Sequence, residues 1–485
     1  MKAIIVGGGV GGLCTAIRLG AAGHDVTVFE RNEQAGGKLA VFERDGFTFD
    51  IGPSLLTLPQ VFDDVFQLAG TSLDEQLDLV RLDPQFRYFW RDGARLVVHD
   101  DNDATAAAFE TFAGAGAAWR DLNEDGRRIW EVSERTFFAG PMSNPLDLLS
   151  RMESANDLRT IDAMRSLNDA ARALFDEPKL QQWLGRYATY SGSTPRRAPA
   201  TLSCIPHVEA EHGCWYPMGG LGALCDALVR VAGKMGVDIQ PSSDVERINE
   251  DGTSVTGIRL VDGSVFAADV VIANTDAEHL YADLLPDDAA LRTVRKADRS
   301  TSGFAMCLGV RGATPAIDGA PLGHHNVFFS KNAAQEFRQI EAGQLADDPT
   351  IYACISSLTD ATQAPVGDEN WFILVNTPPG AEVNTEDYRD LVLRRLGEHG
   401  VDLAGRMSFS ARITPADIEQ LYRSPGGAIY GSSSNGKRAA FARPANRGAR
   451  AGLYLVGGSS HPGGGLPLVA TSARIVTEMI DQDHR

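Results

Sequence analysis

Apolar residues at positions 3 to 6 (A-I-I-V) run straight into a group of glycines, a helical pattern follows over residues 10 to 22, and Asp25 to Glu30 (D-V-T-V-F-E) reads as a second strand. This is a β-α-β unit with very short connections. Further on, Phe86, Tyr88 and Trp90 share one side of an extended run, Asp92-Gly93 supplies a turn, and Leu96 and Val98 share a face beyond it, which predicts an antiparallel hairpin. Between Ala104 and Ala200 the period becomes helical. Ile161, Met164, Leu167, Ala171 and Leu174 fall on one predicted face, and Leu180, Trp183, Leu184 and Tyr187 on that of a second helix beyond Pro178. From Asp244 the chain returns to strands: V-E-R-I, V-T-G-I-R-L and S-V-F-A, with turns at Asp251-Gly252 and Asp262-Gly263, then the wholly apolar Val270 to Ala273.

More strands are predicted at 304–310, 326–330, 351–356 and 371–375, a helix at Glu386 to Leu396, and a closing strand at Gly452 to Val456 before a glycine-rich turn and a helix from about Val469. Nucleotide-type β-α-β signals thus lie at both chain ends and near 220–275, with helical and antiparallel segments between them. The expected fold class is α/β: a discontinuous Rossmann-like dinucleotide-binding domain (1–80, 211–280 and 420–485) with a second, α+β substrate domain of antiparallel sheet plus helices (81–210 and 281–419). No period of 20 to 50 residues repeats.

The 485 residues, 43% hydrophobic and 22% charged, have the composition of a globular protein with ample core, and exclude collagen or a small disulfide scaffold. Lys+Arg 45 against Asp+Glu 64 gives a net charge of −19, a field that repels phosphate backbones and argues against nucleic acid as a partner. No pair among the six cysteines has C-x-x-C spacing, so they read as core thiols in a reducing compartment. The first apolar stretch is too short for a signal peptide, and no run of 18 apolar residues predicts a membrane span. The expected location is cytoplasmic.

Gly7-x-Gly9-x-x-Gly12 sits between the first strand and the first helix, the context that makes this pattern informative. Gly7 permits the tight turn, Gly9 lets backbone approach a pyrophosphate, and Gly12 lets helix and strand pack closely, while the helix N-terminus presents unpaired N–H groups to the phosphates. Glu30 ends the second strand, where its carboxylate suits ribose hydroxyls and opposes a 2′-phosphate; the dinucleotide is therefore FAD or NAD rather than NADP. Gly36-Gly37-Lys38 adds a second flexible backbone and a cation, and the turn at Gly457-Gly458 through Gly463-Gly464-Gly465-Leu466-Pro467 opens a helix able to stabilise a reduced flavin. Both features favour FAD. His324 and His325 are adjacent, hence on opposite faces if both lie on a strand, so a structural role rather than a shared metal is expected. No local set of residues suggests a nucleophile.

The segments G-G-G-V-G-G-L, E-R-N-E-Q-A-G-G-K-L, G-F-T-F-D-I-G-P-S-L-L-T (46–57), G-C-W-Y-P-M-G-G-L-G-A-L (213–224), H-H-N-V-F-F-S (324–330), I-T-P-A-D (413–417), P-G-G-A-I-Y-G (425–431) and L-Y-L-V-G-G-S-S-H-P-G-G-G-L-P (453–467) together resemble the bacterial and fungal type phytoene desaturases. These are FAD-dependent carotenoid desaturases with an amine-oxidase-like flavoprotein fold. The resemblance spans the chain, and R-Y-A-T-Y-S-G (186–192) is similar to the hydroxycarotenoid 3,4-desaturase branch. It implies that Gly7, Gly9, Gly12, Glu30, Gly37 and Lys38 hold the adenosine diphosphate, that Gly52, Pro53 and Ser54 lie by the flavin ring, that Val245 meets the adenine through its backbone, and that Gly458, Gly465 and Leu466 close over the ribityl chain and ring. The family often has Arg where this chain has Lys38, which keeps the charge but loses bidentate geometry.

The activity so implied is desaturation of a carotenoid or related polyisoprenoid, with hydride passing from a saturated carbon beside the polyene to flavin N5 and with oxygen or a quinone as electron acceptor. Alternatives are a carotenoid isomerase or oxygenase on the same fold, an amine oxidase, or a flavin-free prenyl-binding chaperone, which the intact glycines and Glu30 disfavour. A water-insoluble substrate implies peripheral contact with the inner face of a membrane, with residues 104–200 the candidate region. No catalytic base is assigned; His461, inside the C-terminal motif, is the candidate.

Overall fold

The computed structural model describes residues 1–437 and 439–484. Its organising element is a five-stranded, all-parallel sheet in the order 453–455, 270–273, 2–6, 25–29, 238–240. The central strand Lys2–Val6 is buried from Ala3 onward because helices cover one face and a small antiparallel sheet (245–250, 255–260, 265–267) covers the other. The helices Val10–Ala21, Leu221–Lys234 and Leu466–Asp483 supply Leu13, Ile17, Leu224, Leu228, Val476 and Ile480 to one core cluster. Strands from opposite ends of the chain, 2–6 and 453–455, thus share one sheet, and the carboxyl ends of its strands, with the glycine turns that follow, converge on one edge.

A second, seven-stranded sheet runs in the order 407–413, 302–310, 369–377, 351–354, 325–328, 86–89, 95–98. It is antiparallel except where 325–328 lies parallel to 86–89. The predicted 86–98 hairpin is present, with Phe86, Tyr88, Trp90, Leu96 and Val98 packed on Phe109, Trp119, Trp183 and Tyr187 of the helical segment. Every strand of the parallel sheet comes from residues 1–80, 211–280 or 420–485, and every strand of the large antiparallel sheet from 81–210 or 281–419.

The helical reading of 161–174 is corrected. The helix covers only Leu167–Leu174, capped by Ser166, whose side chain accepts from the Asp169 N–H. Ile161 to Arg165 form turns, with Asp162 at φ +44° and Met164 68% exposed. The apolar spacing there came from residues that never share a face. No helix among the described residues is long and apolar enough to cross a membrane.

Candidate active site

A cavity of about 510 Å³ runs from the carboxyl edge of the parallel sheet to the face of the large antiparallel sheet. At its first end lie Gly7, Gly9, Glu30, Gly37, Lys38 and Val245; toward the middle lie Gly52, Pro53, Ser54, Gly458, Gly465 and Leu466. Twelve of the thirteen residues expected to hold the dinucleotide therefore line one space. Gly12, the thirteenth, sits behind it: a Cβ there would meet the Gly7 carbonyl oxygen at 2.3 Å, so this glycine brings the helix down onto the strand.

The walls fit FAD. The helix Val10–Ala21 is capped by Gly9 and the helix Leu466–Asp483 by Gly465, neither with a side-chain cap, and Val10, Gly11, Leu466 and Pro467 all line the cavity. Two uncapped helix N-termini thus open on the same space, a surface suited to anionic groups. Gly36 N–H donates to the Gly8 carbonyl at 2.8 Å, and a Cβ on Gly37 would lie 3.1 Å from the Gly9 Cα, so the two glycine loops touch through backbone alone. Glu30 is 5% exposed, its two oxygens accepting from the Gly8 and Asn32 N–H groups at 2.8 Å, an orientation fixed before any ligand arrives. Lys38 donates to the carbonyls of Ala428 and Ile429, tying the N-terminal loop to the 425–431 segment. Burial pushes its ammonium down to about 8, with Asp276 acting in the opposite sense.

Three positions escaped the sequence reading. Asn274 follows the apolar strand 270–273 and donates to the Gly7 carbonyl at 3.0 Å, while its Oδ1 stands 2.7 Å from where a Cβ on Gly11 or Gly457 would be. It is the spacer between the two glycine turns, and its place at a strand's carboxyl end was the available signal. Arg443 lies under the C-terminal turn, its guanidinium donating to the carbonyls of Tyr430, Ser432 and Gly458. Tyr352 joins two expected features: its hydroxyl is 2.6 Å from Ser54 Oγ and 2.7 Å from His325 Nδ1. Burial, with His324 and Arg186 beside it, holds His325 well below the usual histidine range, so the ring is neutral.

The reading of His324 and His325 as opposed in direction is also corrected. The strand begins only at His325, and the two rings meet edge to face with centroids 4.5 Å apart. With Cys354 they bring ligand-type atoms within 4.8 Å of one another. Burial drives the His324 ring down to about 3 and raises the Cys354 thiol beyond its ordinary range.

His461 does not line the cavity. It is 1% exposed, its Nε2 lies 3.2 Å from the Gly140 carbonyl, and its ring packs edge-on against Phe137 at 4.7 Å. Its backbone accepts from Asn446 Nδ2 and Ser472 Oγ, and burial lowers its pKa to about 4. The residue anchors the C-terminal turn from behind. His461→Ala is therefore expected to leave anaerobic flavin reduction within about tenfold of the parent once FAD is saturating; a fall in the roughly 10²–10⁴ range typical of a lost general base would restore it as catalytic.

Comparison with known proteins agrees with this geometry. The family described as flavin containing amine oxidoreductase matches residues 10–314. The 1-hydroxycarotenoid 3,4-desaturase of Flavobacterium sp. (strain P99-3) is 35% identical, covering 99% of both chains. The 4,4'-diapolycopene oxygenase of Methylomonas sp is 32% identical over 99% of this chain and 98% of its own. A solved structure of putrescine oxidase aligns with a TM-score of 0.67 at 15% identity, covering 100% of each chain, which shows the shared fold. The chain belongs to the flavin containing amine oxidoreductase family, among the carotenoid desaturases and oxygenases, and is a FAD-dependent oxidoreductase.

Proposed function

We propose that this protein desaturates a carotenoid, and that the single cavity joining the glycine-lined cofactor walls to an aromatic pocket is the observation that carries the reading. The lining also includes Phe86, Phe329, Tyr352, Phe372, Leu374 and Ile413, a surface suited to a long apolar polyene, and Glu336, a carboxyl group in the same lining, is already hydrogen-bonded to Ser330 and Thr350. When bound, FAD supplies the two-electron chemistry by taking the hydride. The chain's own part is to hold the polyene against the ring face near Ser54, to exclude water, and to receive the proton that leaves the neighbouring carbon. The hydroxyls of Ser54 and Tyr352, hydrogen-bonded in sequence to His325, can pass that proton on, with the buried imidazole a relay rather than its resting place because its protonated form is disfavoured. Oxygen or a quinone then takes the electrons. In this reading residues 1–80, 211–280 and 420–485 carry the cofactor, and 81–210 with 281–419 carry the substrate.

The relative named a 1-hydroxycarotenoid 3,4-desaturase acts, by its name, on the 3,4 bond of a carotenoid with a hydroxyl at carbon 1. The oxygenase among the relatives makes an oxygenated product the second outcome to look for. Incubating the FAD-loaded protein with carotenoids of graded saturation and analysing products by mass separates the readings. A loss of two hydrogens supports desaturation, whereas gain of oxygen, an unchanged mass with altered geometry, or peroxide from amines alone would each replace it.

Substrate delivery implies contact with a membrane. The exposed apolar side chains of the helical segment cluster at Leu146 (71%), Leu149 (45%), Leu158 (47%) and Met164 (68%), narrowing the contact region to 145–164. With a net charge of −19, attachment should be apolar and survive high salt. Liposome sedimentation is expected to persist at raised ionic strength and to weaken when these four residues are made serine; release by salt would mark it as electrostatic.

A further inference from the structure

Arg186 opens the short helix Arg186–Ser191 and lines the cavity, yet its guanidinium makes no hydrogen bond to any described residue and no carboxylate lies within 4.0 Å of it. Its Nη1 is wholly buried and unpartnered. Four aromatic rings surround the group, Phe86 at 5.3 Å, Tyr190 at 5.6 Å, Tyr352 at 5.9 Å and Tyr88 at 6.0 Å. Such rings hold a cation but satisfy none of its in-plane N–H donors. A guanidinium is always charged, and leaving its buried donor unpaired once an apolar occupant displaces water from the cavity is costly, so the cavity's proper occupant should bring an acceptor.

The surroundings restrict that acceptor. Glu209, buried at 1% exposure, accepts from the hydroxyls of Tyr187 and Tyr190 at 2.8 and 2.7 Å. Burial raises the Glu209 pKa, while the two tyrosine hydroxyls and Arg186 favour its ionised form; as the carboxylate it offsets the guanidinium through this phenol layer, so the site does not call for an anion. Tyr190 also lines the cavity, and with its proton committed to Glu209 its oxygen is free to accept. Among the oxygen groups a polyene can carry, the neutral one that accepts from Arg186 and donates to Tyr190 is a hydroxyl. A carbonyl or ether oxygen would satisfy only the first.

We propose that Arg186 and Tyr190 form a subsite that selects polyenes bearing a hydroxyl group near the bond to be desaturated. Proximity to that bond follows from Tyr352, which touches both the Arg186 site and Ser54. This rests on the proposed desaturation, and it makes Arg186 a specificity-determining residue for it. A site built around a hydroxyl discriminates against the analogue that lacks it, because its buried donor is then left unpaired.

The test compares a hydroxylated polyene with the hydrocarbon of identical skeleton on the FAD-loaded enzyme, reading flavin reduction and equilibrium binding. The alcohol should be preferred roughly ten- to hundredfold in kcat/KM, the range of a charge-assisted hydrogen bond. Arg186→Met should erase that preference by costing the alcohol far more than the hydrocarbon, and Arg186→Lys should restore part of it, with FAD content and flavin spectrum unchanged in both. Equal use of alcohol and hydrocarbon by the parent enzyme would overturn the subsite while leaving desaturation intact, and needs no variant. Equal losses on both substrates in Arg186→Met would make the residue structural, and loss of FAD or a shifted flavin spectrum would make the cofactor its partner; either overturns the subsite. If neither polyene reduces the flavin, desaturation itself fails and takes the subsite with it.

Discussion

Gly9→Glu is expected to give a folded protein that holds no flavin. Gly9 ends the tight turn and caps the first helix without a side chain, and a Cβ there would stand 3.0 Å from Asn274 Nδ2. The rest of a glutamate side chain must enter the cavity, since the helix, the strand and the Gly37 loop close the other directions. It would place a carboxylate where the pyrophosphate belongs and cover the N–H groups of Val10 and Gly11. Loss of two charge-assisted hydrogen bonds at about 1.5–3 kcal/mol each weakens FAD binding by roughly 10²–10⁴-fold, and the repulsion between the new carboxylate and the phosphates adds to it. The absorption spectrum of the purified variant and its circular dichroism decide the matter together. Stoichiometric flavin in a folded Gly9→Glu protein would contradict the placement.

Gly52→Ala, a change of one methyl group, is expected to be nearly as severe for a different reason. A Cβ at Gly52 would lie 1.7 Å from the Lys38 carbonyl oxygen and 2.9 Å from the Lys38 carbonyl carbon. Both contacts are to backbone, which cannot swing aside like the end of a side chain, so the 36–39 loop and the 51–54 segment must separate. That separation withdraws Lys38 from the Ala428 and Ile429 carbonyls and moves Pro53 and Ser54 off the cavity wall. Overpacking of this kind costs about 3 kcal/mol or more. A thermal melt lower by many degrees, with FAD weakly held, is the expected result; a parent-like melt and flavin content would show that the loops tolerate the displacement.

The features that were legible in the chain share one property: each is written in residues close together in sequence. The first β-α-β unit needs only the apolar run 3–6, the glycines at 7, 9 and 12, and Glu30, and the cavity walls follow the same glycine patterns at 36–37, 457–458 and 463–465. Arg186 and Tyr352 matter because of partners far away in the chain, Phe86 for the one and Ser54 for the other, and although 186–192 was a recognisable segment, no local pattern gives either side chain its role; Asn274 had only its place after an apolar strand to mark it. His324 and His325 misled because alternation holds only inside a strand, and the strand starts between them. His461 shows why position in a motif does not assign a role: its neighbours in sequence line the cavity, but its own side chain turns toward Gly140 and Phe137 on the other side of the turn. A helical spacing at 161–174 was likewise broken by turn residues that no hydrophobic period registers.

The central claim is that cofactor and polyene share one cavity and exchange two electrons directly. Its most direct test is anaerobic single-turnover mixing of the FAD-loaded protein with a carotenoid that has a saturated bond beside the polyene, following flavin absorption and then the mass of the extracted product. Flavin bleaching in a single reaction, matched one for one by product lighter by two hydrogens, is the predicted result. Flavin that stays oxidised while the carotenoid binds, or bleaching with no change in the carotenoid's mass, would contradict it.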